Sequence, residues 1–252
     1  MQYSIWIYSL VSVFIVSTLS LLGLSTFAIK KSLLQKMLTL LVGLSAGAMF
    51  GDVFIHLLPE IAHNNGFTLS ISFTFIAGIL ISLIIEKFIN WNHCHDHDCK
   101  DTNEKAFAYM ILYGDSVHNF IDGLVIGGSY LINPAIGIAT TLAVVLHEIP
   151  HEIGDFGALL HGGFSREKAL FANFISALTA VLGTLFALVA YQHIKQVQFY
   201  LLAFAAANFI YIAGTDLIPE LHKESNVNKT LLQILFFILG VALMLPLLLL
   251  EK

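Results

Sequence analysis

The chain reads as an all-α polytopic membrane protein: eight spanning helices in one domain over residues 1–252, arranged three, two and three, with both termini outside. Three observations lead there. First, 57% of the residues are hydrophobic and 12% charged, at a mean hydropathy of +0.82, where a soluble domain carries about 25% charged residues. Second, apolar runs recur at 5–28, 37–59, 68–90, 107–131, 136–161, 169–191, 198–219 and 230–250, each near the roughly 20 residues that cross a hydrocarbon core. None alternates in polarity as a β-barrel strand would. Third, Lys and Arg gather in alternate connections between those runs.

That last pattern orients the chain, because basic residues concentrate in cytoplasmic loops. The odd connections hold Lys30, Lys31 and Lys36; Lys87, Lys100 and Lys105; Arg166 and Lys168; and Lys223 and Lys229. The even connections and the tails hold only Lys195 and Lys252, so the odd side is predicted to face the cytoplasm. The formal net charge of −5 says less than this distribution. Without a basic patch interleaved with aromatics, nucleic acid is excluded as a partner. Without a G-x-x-x-x-G-K-[ST] loop, so is ATP-driven pumping by a P-loop in this chain.

Taken in order, the first segment ("IWIYSLVSVFIV") lacks the basic start and small-residue cleavage site of a signal peptide, and is expected to stay as an anchor. The second carries Gly43, Gly47 and Gly51 one turn apart, a close-packing signal, followed by Asp52, His56 and Glu60. The third is followed by the one long polar connection, "WNHCHDHDCKDTNEK" at 91–105. Its Cys94 and Cys99 are expected to be reduced in a cytoplasmic loop. With His93, His95 and His97 they read either as a metal-catching loop or as a polar linker.

The fourth segment holds Asp115, His118, Asn119 and Asp122, then Gly123 and Gly127. After a short turn at Pro134, the fifth holds His147, Glu148, Pro150, His151, Glu152 and Asp155. The sixth offers Asn173 and Ser176, and the seventh Asp216 and Glu220. "DLIPE" at 216–220 matches "HLLPE" at 56–60, on segments running in opposite directions. An inverted repeat of this kind is a transporter signature. The eighth segment carries no ionisable residue.

Ionisable groups at bilayer depth are costly unless they face a partner, water or an ion. These spans have no interior Lys or Arg to neutralise their carboxylates and imidazoles. A mobile cation, either a metal ion or protons, is therefore expected. His118 and Asp122, His147 and His151, and Glu148 and Glu152 are each four apart, so each pair shares a helix face. If the fourth and fifth helices pack antiparallel, His118, Asp122, His147 and His151 converge as four ligands. Asn119 and Glu148, about 100° round, can build a second adjacent site. Pro150 cannot donate to the Leu146 carbonyl, and such a break suits a permeation path. Imidazoles mixed with carboxylates favour Zn²⁺, with Fe²⁺, Mn²⁺ and Cd²⁺ as further candidates.

His147-Glu148-Ile149-Pro150-His151 is also a literal H-E-x-x-H, the pattern of a zinc protease with Glu148 as base and Asp122 as third ligand. A proline inside the motif, the polar face continuing through Glu152 and Asp155, and the surplus His118 weigh against it. A third reading is a metal receptor that binds without transporting.

On these residues the chain resembles the ZIP family of zinc and iron transporters. "HNFIDGLVIG" and "HEIPHEIGDFG" are similar to the paired signatures of one subfamily, HNFxDG and HExPHExGDF. "GDVFIHLLPE", "IIEKF", "NFISALTAVLGT" and "FIYIAGTDLIPEL" extend the likeness from the second segment to the seventh. The resemblance implies a divalent-metal transporter, not an enzyme, with eight helices and both termini outside. It implies a two-metal centre: His118, Asp122, His147 and His151 at one site, Asn119 and Glu148 at the other, Asp122 and His151 bridging. Some relatives add a carboxylate from the sixth helix, where this chain has Asn173 and Ser176. The expected path runs from His56 and Glu60, past Asp52 and the centre, to Asp115, Glu152, Asp155, Asp216 and Glu220. Zn²⁺ is then cargo and no catalytic cofactor is expected. The partners are metal ions, the bilayer and, as the Gly-rich faces permit, a second copy. The membrane is a plasma or bacterial inner membrane.

Overall fold

A computed structural model describes residues 2–22, 31–64, 66–91, 100–194 and 196–250. Among them there are helices and turns and no strand. The helices are α1 (Gln2–Thr18), α2 (Lys31–Gly51), α3 (Leu58–Asn64), α4 (Leu69–Trp91), α5 (Lys100–Ile132), α6 (Pro134–His161), α7 (Arg166–Ala177), α8 (Thr179–His193), α9 (Val197–Ile212), α10 (Ile218–Leu221) and α11 (Val227–Met244). Residues Asp52–Leu57 and Ala213–Leu217 are wound as π-helix, and Leu245–Leu250 as 3₁₀. His93, Cys94, His95, His97 and Cys99 lie outside the described residues. The remainder of the expected loop differs from expectation, since α5 already begins at Lys100.

Among the described residues, six stretches are long and apolar enough to cross a membrane: Tyr3–Leu22, Leu40–Asn64, Leu69–Lys87, Arg166–His193, Val197–Leu221 and Val227–Leu249. Helices α5 and α6, of 33 and 28 residues, match that length but carry buried acidic groups. The chain is an integral membrane protein.

Local chemistry explains the boundaries that position these helices. A single residue, Asn133, turns α5 into α6: its side chain accepts from the Ala135 N–H at 2.8 Å, with Pro134 supplying the preset first helical position. Ser165 and Asn226 cap α7 and α11 in the same way, accepting from Lys168 and Lys229. Each π segment ends just before a proline, Pro59 or Pro219. A proline cannot donate to the carbonyl four residues back, and a widened turn is one way a membrane helix absorbs that loss. The Leu58 N–H accordingly bonds the Val53 carbonyl, and the Ile218 N–H the Ala213 carbonyl, each five residues back. The two widened turns coincide with the sequence repeat, in which His56 matches Asp216.

Packing divides the helices into two groups. α2 lies along α11 and α4 along α9; α5 packs on α8, α6 and α7, with α1 against α8 and α6. The groups meet where α2 faces α6 and α9 faces α5. Small residues set the tightest approaches. A Cβ on Gly123 would overlap the Ala180 carbonyl, and one on Gly183 the Phe120 carbonyl, so α5 and α8 touch backbone to backbone. Gly43, Gly47 and Gly51 face α11 within the same chain. That row is therefore used internally and does not present a surface to a second copy.

Candidate metal centre

The short turn at Asn133 brings α5 and α6 side by side, and four side chains meet between them. His147 Nε2 lies 3.1 Å from Asp122 Oδ2, and His118 Nε2 lies 3.1 Å from Glu148 Oε1. The two Nε2 atoms are 3.3 Å apart, His147 Nε2 is 3.3 Å from Glu148 Oε1, and His118 Nε2 is 3.7 Å from Asp122 Oδ2. All four ligand atoms fall within 4.8 Å of one another. A tetrahedron with zinc–ligand bonds of about 2.0–2.1 Å has edges of about 3.3 Å. Five of the six edges scatter around that value, and the sixth, between the two carboxylates, is within 4.8 Å, so the four atoms are spaced to surround one ion.

The electrostatics match. Two carboxylates and two neutral imidazoles carry a formal charge equal and opposite to that of a divalent ion, and Asp122, His147 and Glu148 are almost entirely buried. A closed shell like this suits a cation, a metal ion or protons, because two imidazole lone pairs and two carboxylates otherwise crowd one point. His147 Nδ1 lies 3.2 Å from the Ala143 carbonyl. An N–H there orients the ring and leaves Nε2 free as a ligand.

Ser45 completes the frame. Its hydroxyl lies 2.5 Å from the Leu146 carbonyl, as well as 2.7 Å from that of Leu41. Leu146 is the residue whose carbonyl Pro150 leaves without a helical donor. The break therefore serves as an attachment between α2 and α6, at the turn carrying His147.

The same neighbourhood is legible in comparison with known proteins. A family model described as ZIP zinc transporter matches residues 3–104 and 90–248. The chain belongs to the ZIP zinc transporter family. It is 30% identical to zinc transporter zipt-7.1 of Caenorhabditis briggsae over 89% of this chain and 72% of that protein. It is 31% identical to zinc transporter ZIP13 of Mus musculus over 81% of this chain and 68% of that protein. With zinc transporter ZIP10 of Danio rerio it shares 40% identity, over 53% of this chain and 16% of that protein. These relatives lend no support to reading H-E-x-x-H as a protease motif.

Other expected site residues of this ZIP chain lie around the cluster. His151 stands apart from the four: its ring stacks on His118 with centroids 4.8 Å apart and 7° between planes, and Nδ1 is 3.3 Å from Asp155 Oδ2. Glu148 takes the place in the cluster expected for His151. Asn119 is buried and gives its amide N–H to Asp115, at 2.7 Å from Oδ1 and 3.1 Å from the carbonyl, while its Oδ1 has no hydrogen-bond partner. Glu152 and Asn173 are hydrogen-bonded to each other, with Asn173 Nδ2 also 3.5 Å from the Ser20 carbonyl. Both are buried, and Asn173 belongs to α7, so the pair ties α6 to α7.

Farther along the expected path, Asp52 is buried and accepts from Thr140 at 3.0 Å, and His56 Nε2 lies 3.0 Å from the Met244 carbonyl. Glu60 accepts from Asn64 at 2.6 Å, and Glu220 pairs with Lys223. The Asp216 side chain lies outside the described residues. On the other side of the cluster a cavity of about 220 Å³ is lined by His118, Asp115, His151, Asp155, Glu86 and Asn208, among others. Tyr211, also lining it, donates to Glu86 at 2.5 Å. Ser45, Glu86, Asn208 and Tyr211 were not legible as site residues. Glu86 beside Lys87 looks like the charged flank of any span, and a lone Ser, Asn or Tyr carries no spacing signal.

Proposed function

We propose that this protein moves divalent metal, Zn²⁺ foremost and Fe²⁺, Mn²⁺ or Cd²⁺ as further cargo, across the membrane into the cytoplasm. The observation that supports this best is the close set of His118, Asp122, His147 and Glu148, whose charge and donor types suit a divalent ion. The membrane domain spans eight times, counting α5, α6 and the six apolar stretches, in a 3+2+3 arrangement with both termini outside. The paired π segments at matching repeat positions favour inverted halves. Metal moves from His56 and Glu60, past Asp52, to the α5/α6 centre, and leaves by the cavity beside Asp115 and Asp155 or along Asp216 and Glu220. The centre takes a second ion beside the four clustered ligands, on the side of His151 and of Asn119, whose Oδ1 has no partner. Alternating access arises as the group of α1, α5, α6, α7 and α8 moves against the other. An inside-negative potential drives inward movement by roughly 4–5 kcal/mol per divalent ion per 100 mV, with no need of ATP. The His/Cys-rich residues His93, Cys94, His95, His97 and Cys99 catch released metal in the cytoplasm.

The test is ⁶⁵Zn uptake into proteoliposomes holding the full chain, under a potassium-diffusion potential, beside a peptide-cleavage assay. His147→Ala should abolish uptake. Undiminished flux in that variant would remove the transport site, binding without flux in the wild type would favour a receptor, and metal-dependent cleavage lost with Glu148→Gln would restore the protease.

A further inference from the structure

Beside the four-ligand cluster, toward the N-terminal end of α5 and the C-terminal end of α6, stands a second set of donors. Asp115, His151 and Asp155 each offer one ligand atom within 4.8 Å of the others. His151 Nδ1 and Asp155 Oδ2 face each other at 3.3 Å, yet both atoms are shielded from solvent and neither has a hydrogen-bond partner. Asp115 is held for the role: Ser176 donates to Oδ2 at 2.5 Å and Asn119 to Oδ1 at 2.7 Å, which fixes its carboxylate.

All three residues line the 220 Å³ cavity. Across it Asn208, only 3% exposed, accepts from Ser82 at 3.0 Å while its Nδ2 has no partner. A buried donor at such a wall can bind a water carried by an ion. Glu86 lines the same cavity and adds negative charge to it.

One imidazole and two carboxylates give three protein ligands, and a coordination position filled by water marks an exchangeable site. The central cluster supplies four ligands and is closed. His151 adjoins both, through its stack on His118. We propose that Asp115, His151 and Asp155 form a separate divalent-cation site, open to the cavity, that receives the ion from the central cluster. This rests on reading the central cluster as a metal centre.

Equilibrium Co²⁺ binding to the full chain in detergent, with visible spectra, tests it. Asp155→Asn should bind about one equivalent less than wild type while keeping the intense bands of the tetrahedral central ion. Asp155→His, which restores a ligand, should regain that equivalent. Asp155→Ser carries the same expectation as Asp155→Asn and replaces it if the amide variant fails to fold. Unchanged stoichiometry in the Asn or Ser variant overturns the site. Loss of the central bands together with the equivalent, in variants that fold as wild type by circular dichroism, overturns its separateness. His147→Ala reports on the central cluster by itself: it should erase the tetrahedral bands and spare the Asp155-dependent equivalent. Bands that persist in His147→Ala would sink the central reading while leaving the Asp155 comparison to decide this one.

Discussion

At the scale of single residues, the centre depends on a few atoms whose removal has separable effects. His147 is buried with Nε2 within 3.3 Å of three other ligand atoms. Its loss should lower uptake by at least ~10–100-fold, the range seen when even a supporting group of a metal site is removed. Ser45 touches no ligand, so Ser45→Ala tests the frame alone. Leaving the Leu146 carbonyl without its donor should cost about 1–3 kcal/mol, read as a lower melting temperature in detergent, with metal still bound. Imidazoles ligate only when neutral, so uptake should fall as external pH drops below about 6. A flat uptake profile between pH 7 and pH 5 would contradict histidine ligation. Residue types and their i, i+4 spacing announced the ligands, but not which of Glu148 and His151 completes the shell. Those two are three positions apart on α6, and the choice between them depends on the rotation of α6 about its axis.

At the scale of elements, the widened turns and the close helix contacts carry the consequences. Pro59 and Pro219 were visible in the repeat, whereas the π winding before them shows only in the folded chain, in N–H bonds to carbonyls five residues back. Gly123 is the sharpest packing constraint, because any Cβ there would overlap the Ala180 carbonyl. Gly123→Val should force α5 and α8 apart and destabilise the fold by about 1–3 kcal/mol or more. Thermal unfolding unchanged from wild type would show that the helices do not pack as described.

The start of α11 offers a pH test outside the membrane. The Asn226 N–H, at 3.0 Å, and then Lys229 hold the Glu224 carboxylate below its ordinary range. A group depressed in the folded state stabilises above its unfolded pKa, and that help fades as pH falls through the carboxylate range. The amide protection factor at Asn226 should therefore drop at acid pH, and Glu224→Gln should remove that dependence.

For the whole molecule, transport requires the two helix groups to move past each other at the α2–α6 and α5–α9 faces. Asp52 and Thr140 bridge the first of these at 3.0 Å. In a chain with Cys94 and Cys99 replaced by Ser, joining Asp52→Cys to Thr140→Cys with Hg²⁺ should stop the uptake that the unbridged variant retains, and excess thiol should restore it to that level. Continued uptake through a bridged pair would mean that this face stays together during transport. The apolar runs, the scarcity of charge, the placement of Lys and Arg, and the ligand chemistry were all determined by sequence, because each follows from transfer free energy or spacing along one helix. Tertiary structure alone decided that Glu148 joins His118, Asp122 and His147, that His151 turns toward Asp115 and Asp155, and that Ser45 takes up the carbonyl freed by Pro150. Those outcomes depend on helix rotation and depth, which backbone contacts such as Gly123 on Ala180 set and which no pattern along a single helix encodes.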